Sequence, residues 1–526
     1  MGSNQSTVTG AEKVLIERLR ALEIEKRQAA TNTATNEDGF VEVNDNDLDT
    51  AGVFTEFDEK ALSGSALRRS PTSLNVDQLE GWQARVLQDP KNRLALSALS
   101  AANIKKVLMS RAATIADQQV YNIKIPFEGA PITNQRSSGR CWLFAATNVF
   151  RVALMQKYNI ESFELSQNYL FFWDKLEKAN FFLEQIIDTA DLDLDSRLVQ
   201  TLVQSPLSDG GQWDMVYNLV AKYGLVPQVL YPDSFNAKAS STINTIIFTK
   251  LREGALLLRS LLRSPSATTA TDIASTKARI VKEIHAILVL TLGPPPPPTD
   301  TFTWQFLDKS GKAKEVRATP LDFASDIWSS EFRITSSVIS SLVSLVHDPR
   351  NPPLSLLTVD RLGNIVGGRG ITYINVGMST LKQACVSMLK AGLPVFFGSD
   401  VGQFSDTTTG VMDLNLIDYE LGFNVSLLGM DKAARLRTGE SAMTHAMVLT
   451  AVHVDDKTGK TVRWRVQNSW GTEPGTEGWF VMSDAWMDQF VYQAVVDPKF
   501  LPKEVRDVLK KEPILLPLWD PMGSLA

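Results

Sequence analysis

An α+β fold is predicted for this chain of 526 residues, with helices through its middle and strands in its final third. Three patterns predict it. The stretches "CWLFAATNVFRVALMQKY" (141–158), "SQNYLFFWDKLEKANFFLEQIIDTA" (166–190) and "QWDMVYNLVAKYGLVP" (212–227) carry apolar residues at helical spacing and end on polar or Gly/Pro signals. The stretches "TVRWRVQNSWG" (461–471), "EGWFVMSD" (477–484) and "QAVVDP" (493–498) are strand-like, with turns between them and Gly459 in a hairpin position. Helices precede strands and do not alternate with them, which favours α+β over a repeating βα unit.

Taken from the N-terminus, residues 1–70 are rich in Asn, Asp, Ser and Thr and read as a disordered extension, with one short amphipathic helix over residues 12–27. Met1-Gly2 followed by Ser6 matches the myristoylation pattern. An acyl chain on Gly2 would give only weak, reversible membrane association, because no neighbouring cysteine or polybasic run supplies a second anchor. The ordered unit is expected over 71–526, with an insertion region at about 235–345 and a C-terminal arm at about 512–526. Inside the insertion, "RSPSATTATD" interrupts a helical reading and "GPPPPPTD" (293–300) reads as a stiff polyproline II connector. "AILVLTLG" (286–293) and "LPVFFG" (393–398) are too short to cross a membrane and suit buried strands or core helix pieces.

The formal net charge of −6 gives no global attraction to nucleic acid or anionic lipid. Two cysteines cannot make a disulfide framework, and neither lies in a Cys/His cluster of zinc type, so a reducing compartment, the cytoplasm, is expected with no cofactor or metal.

Cys141 stands where the polar "QRSSGR" meets an apolar helix, so it is expected in the first turn, where free amides and the helix dipole favour thiolate; Arg136 and Arg140 add positive charge nearby. A cysteine at a helix start is often only a packing residue, and a lone histidine is often core. The company of His445 separates the two readings. His445 opens an apolar run, "THAMVLTAV", expected to alternate as a strand, and "RVQNSWG" places Asn468 and Trp470 on one side of a neighbouring strand. Asn468 can fix the imidazole, and Trp470 can shield that bond from water. Gln135, six residues before Cys141, can donate to an oxyanion together with the cysteine amide. Cys385, flanked by Leu381, Met388 and Leu389 without polar company, reads as core.

"QRSSGRCWLFAA", "THAMVLTAV" and "RVQNSWG" resemble the cysteine, histidine and asparagine segments of papain-like cysteine peptidases. "SDGGQWDMVYNLVAKYGLVP", "YINVGMSTLKQ" and "NSWGTEPGTEGWFVMSDAW" narrow the resemblance to the bleomycin hydrolase or aminopeptidase C-like branch, over about 73–526. The resemblance implies a papain-like core, with a helical and a β-rich part around a cleft. It implies Cys141 as nucleophile, His445 as base and then acid, Asn468 as orienter and Gln135 in the oxyanion hole, with Trp142 and Trp470 shielding the site. It implies a homohexamer enclosing a channel that admits short peptides. It also implies a C-terminal arm in the cleft, so that the carboxylate of Ala526 pairs with a substrate's N-terminus and aminopeptidase cleavage results, with bleomycin-like amides or homocysteine thiolactone as further substrates. In "FFGSDVGQF", Ser399 stands where relatives commonly have cysteine. The rival reading is a channel-forming hexamer that mainly binds nucleic acid or peptide. Nucleic-acid binding would need a basic channel lining, and the sequence has no dense Lys/Arg run. An endopeptidase would follow if the arm were disordered.

Overall fold

The computed structural model describes residues 73–264, 269–328 and 339–525. The extension over 1–70, Gly2 and Ala526 lie outside the described residues. The fold is mixed α+β, with a helical part built around one central helix and a β-rich part built around one large sheet.

The central helix, α1 (Cys141–Lys157), is buried from Cys141 to Met155, which is why its apolar residues run all round instead of forming one stripe. Against it pack α2 (Gln167–Asp188) and α3 (Trp213–Tyr223). Gly224, at φ +75, ends α3 where an L side chain would be strained and a Cβ would stand 2.1 Å from the Pro320 carbonyl oxygen. The insertion region supplies α4 (Ser241–Arg263) and α5 (Ala270–Leu292), which pack on each other and on α2. Thr269 and Asp272 form a capping box at the start of α5. "AILVLTLG" is therefore the end of a helix. A two-stranded hairpin, Phe302–Leu307 with Ala313–Ala318, follows the proline run and lays Trp304 and Phe306 against Tyr158.

The large sheet has twelve strands among the described residues. At its centre lie β1 (Val395–Ser399), β2 (His445–Val454), β3 (Thr461–Gln467) and β4 (Val491–Val496), with β1 antiparallel to both β2 and β4. His445 pairs with Ser399 in that register. One apolar cluster covers the face toward α1 and the other helices; a second packs the opposite face against Met378–Lys390 and Asp484–Phe490. Because both faces are covered, β2 is buried continuously from His445 to Val452, and the expected alternation is absent. Cys385 is fully buried in the second cluster.

After the short strand Ile514–Leu516, which pairs in parallel with Leu356–Val359, the chain turns back over the molecule. Asp520 accepts from Arg350 at 2.7 Å and caps the turn through the Met522 amide at 2.8 Å. Trp519 lies under the guanidinium of Arg197, 4.3 Å from ring centroid to Cζ.

Candidate active site

The start of α1 is set by a buried ion pair. Arg140 is fully buried and donates both terminal guanidinium nitrogens to Asp233, at 2.8 and 2.9 Å, and its Nε to the Ser138 hydroxyl at 2.9 Å. This bidentate geometry pins the turn before Cys141. It also neutralises Arg140, so the expected positive charge beside the sulfur is already spent on Asp233, and Arg136 is exposed.

The Cys141 sulfur sits within reach of three backbone amides, those of Ala446, Trp142 and Cys141 itself. Ala446 follows His445, so the start of α1 abuts the start of β2. Burial pushes the Cys141 thiol up to about 11, and the three amides pull only partly the other way. The helix-start amides do pull this group down, as expected, but desolvation outweighs them and the net direction is up. Burial likewise pulls the His445 imidazole down to about 4, against its bond to Asn468. An isolated charge on either group is disfavoured, whereas a proton passing from sulfur to ring leaves the net charge unchanged.

His445 Nε2 lies 2.9 Å from Asn468 Oδ1. That oxygen also takes the Ser469 amide at 2.8 Å, so it is the carbonyl oxygen, and Nε2 must carry the hydrogen. Nδ1 is then the ring's acceptor. The Trp470 ring lies against the imidazole, 4.8 Å between centroids at 31°. Asn468 and Trp470 lie beyond the end of β3, not on it as two-residue periodicity suggested. What holds them is a clasp with the loop before α1. The Gln135 amide donates to Ser469 O at 2.8 Å, the Gly471 amide donates to Thr133 O at 2.9 Å, and the Ser469 hydroxyl donates to Gln135 Oε1 at 2.7 Å. Gln135 Nε2 donates to Ser138 O at 2.7 Å, which uses one of its two hydrogens and fixes the direction of the other.

The opposite wall is the loop 208–212. Asp209 accepts from Lys175, from Asn244 at 2.9 Å and from the Gly139 amide at 3.3 Å. Although burial pushes the other way, Lys175 and the donated hydrogen bonds together hold its carboxyl well below the usual range. Lys178 ties down the carbonyls of Ser208 (3.0 Å) and Gly210 (2.6 Å). Trp142 is fully buried; its indole N–H donates to Asp209 O at 2.7 Å, and its ring fills the space where a Cβ on Gly211 would lie 2.6 Å away. Trp142 thus seats this loop, while Trp470 is the residue that covers the imidazole.

The C-terminal arm crosses between the two walls. Gln212 Nε2 donates to Ser524 O at 2.8 Å, and the Ser524 hydroxyl donates to Met443 O at 2.8 Å, two residues before His445. Ala526 lies outside the described residues. Sequence reasoning missed Ser469, Asp209, Gln212 and Ser524; only the polar, Gly-rich "SDGGQW" signalled that such a loop was present. Two cavities, of about 720 and 540 Å³, lie elsewhere, beside α2 and α5 and beside His347 and Lys432. Among the described residues no group of three or more His, Cys, Asp or Glu side chains is placed to hold a metal ion.

A cysteine at a helix start set against the first residues of a strand that opens on histidine, where the helical part meets the sheet, is the arrangement of a papain-like cysteine peptidase. The chain belongs to the Peptidase C1-like family, matching its pattern over residues 73–523, within the bleomycin hydrolase branch, and is a cysteine-type peptidase. It is 43% identical over 467 residues to "Cysteine proteinase 1, mitochondrial" of Saccharomyces cerevisiae, covering 88% of this chain and 94% of that one. It is 42% identical to human "Bleomycin hydrolase", covering 87% of this chain and all of that one. The crystal structure of pepw from Lactobacillus rhamnosis superposes with a TM-score of 0.81 at 39% identity, covering 86% and 99% of the two chains.

Proposed function

We propose that this peptidase is an aminopeptidase acting on short peptides through an acyl-enzyme on Cys141. The observation that supports the reading is the bridge from Gln212 through Ser524 to Met443, which brings Ser524 against the segment that leads into His445. A substrate held there has room on one side of the scissile bond only, and a carboxylate at Ala526 would meet its protonated N-terminus.

The chemistry follows from the geometry. His445 Nδ1 takes the thiol proton, and the thiolate attacks the scissile carbonyl carbon. The resulting oxyanion meets the Cys141 amide and the second Nε2 hydrogen of Gln135. As the tetrahedral adduct collapses, the proton on Nδ1 passes to the leaving amine, and a thioester remains on Cys141. A water, deprotonated by the same nitrogen, attacks the thioester; collapse releases the acid and returns the proton to sulfur. Asn468 accepts from Nε2 throughout and keeps the ring in plane.

Bleomycin-like amides and homocysteine thiolactone fit the same acyl transfer, and cytoplasmic residence belongs to the same proposal. So does a homohexamer. The helices Val76–Gln88 and Pro90–Leu99 bury no residue within the single chain and leave Trp82, Val86 and Leu94 exposed, which supports a surface covered by assembly. Sedimentation velocity reads that state directly, and a monomer at micromolar concentration would sink it.

The test of the activity compares a free-N-terminus peptide with its N-acetylated twin, using wild type, Cys141→Ala and a chain lacking its last few residues. Wild type should cleave only the free peptide, the shortened chain both, and Cys141→Ala neither. Equal cleavage of both peptides by wild type would make the protein an endopeptidase and refute the reading.

A further inference from the structure

We infer that Asp400 is a positioning residue for this reaction, bracketing the turn Ser441–Thr444 from which the catalytic histidine and the seat of the arm both depend. The half of this inference that concerns the arm rests on the aminopeptidase reading.

Asp400 is the first residue after β1. It is buried, and its amide donates to Phe490 O at 2.9 Å, which fixes its backbone. Its two carboxylate oxygens go to the two ends of one turn. Oδ2 accepts from the Ser441 hydroxyl at 2.8 Å, and Oδ1 accepts from the Thr444 hydroxyl at 3.3 Å. The Thr444 amide also donates to Ser399 O at 3.0 Å, so the last residue before His445 is held by both main chain and side chain of the Ser399–Asp400 step.

A carboxylate suits this place because it only accepts. Tyr492, itself buried, donates its hydroxyl to Ser441 Oγ at 2.7 Å. Ser441 must then turn its own hydrogen to Asp400, and the three groups line up in one direction, each bond polarising the next. An amide in place of the carboxylate would direct N–H groups at hydroxyls that already have donors to place.

Inside the bracket lies Met443. Its carbonyl receives the Ser524 hydroxyl, and its side chain packs so closely on Gly398 that a Cβ there would stand 2.0 Å from the sulfur. Moving the turn would therefore shift the anchor of the arm and the entry of β2 together. The sequence separation of these groups, from Asp400 to Ser524, hides the connection.

The experiment uses the full-length protein with Asp400→Ala, Ser441→Ala and Tyr492→Phe. Two readouts are taken per folded active site, counted by stoichiometric labelling of Cys141: the rate of alkylation by iodoacetamide at neutral pH, and kcat/KM on the free and acetylated peptide pair. Asp400→Ala should slow alkylation by about tenfold to a hundredfold, as a shift of the base of about 1 Å implies, and should lower the preference for the free N-terminus in parallel. Tyr492→Phe, which keeps the carboxylate, should give a smaller change in the same direction. If Asp400→Ala does not fold, Ser441→Ala and Tyr492→Phe carry the test. Wild-type alkylation rates and selectivity in the folded fraction of the variants would assign Asp400 to stability alone and overturn the inference. Alkylation needs no peptide, so this arm still decides the role of Asp400 toward His445 if wild type fails to prefer the free peptide.

Discussion

Cys141 and His445 are each unsuited, alone, to the charge that thiol chemistry demands. Burial pushes the thiol up to about 11 and the imidazole down to about 4, so neither charge stands alone near neutrality, and a thiolate depends on the attraction of an imidazolium formed beside it. In His445→Ala the sulfur should titrate as a solitary buried thiol. Its alkylation at pH 7 should fall by about three orders of magnitude or more, then recover about tenfold per pH unit as pH rises toward 11. A profile that is already flat by pH 8 would show that the raised value is wrong. Gln135 permits a cleaner separation, because Gln135→Met keeps about its length, removes its donor and adds no charge beside the sulfur. Here kcat should drop about a hundredfold with KM little changed and alkylation unaffected, since no oxyanion forms during alkylation.

The elements that matter are short loops strapped to helices. Asp233→Ala would leave the Arg140 guanidinium buried without its partner, at a cost of about 3–5 kcal/mol, read as a lower urea midpoint at unchanged slope. Gly211→Ala would drive a Cβ into the Trp142 ring, and the loop must move for about 1–3 kcal/mol. Its distinctive sign is a raised KM, because Gln212 and its bond to Ser524 move with the loop. At this scale the sequence was only partly legible. Helices α1 to α3 were readable because apolar spacing and Gly/Pro stops are local. The setting of Asn468 was not, since its place past the end of β3 depends on a clasp to Thr133 and Gln135, more than three hundred residues away. The net direction of the thiol was hidden for a related reason: the helix start that lowers it is visible in "GRCW", but the burial that outweighs it comes from segments distant in sequence.

For the molecule as a whole, the fold class and the grouping of Gln135, Cys141, His445 and Asn468 were legible because four motifs in order are specific even when each alone is weak. The route of residues 514–525 was legible only through resemblance, and its anchors were not: Arg350, Gln212, Met443, and Tyr373, whose hydroxyl donates to Met522 O at 3.3 Å. Asp520→Ala tests those anchors. Without the 2.7 Å contact to Arg350 the arm should lift more often, so cleavage of the acetylated peptide should rise severalfold while hydrolysis of the free peptide changes little. An unchanged ratio would mean that Ser524 and Met522 suffice to hold it.

The clasp between the loops at 133–135 and 469–471 also bears on how the protein comes into being. When the helix carrying Cys141 leaves the ribosome, its base is 304 residues from being made and the residue that orients that base 327. At ordinary synthesis speeds the interval is on the order of half a minute. Throughout it the thiol lacks His445. A nascent chain that stops short of residue 445 therefore carries the cysteine without its proton acceptor, and its thiol becomes reactive only once the strand that begins at His445 has been made and has paired beside it.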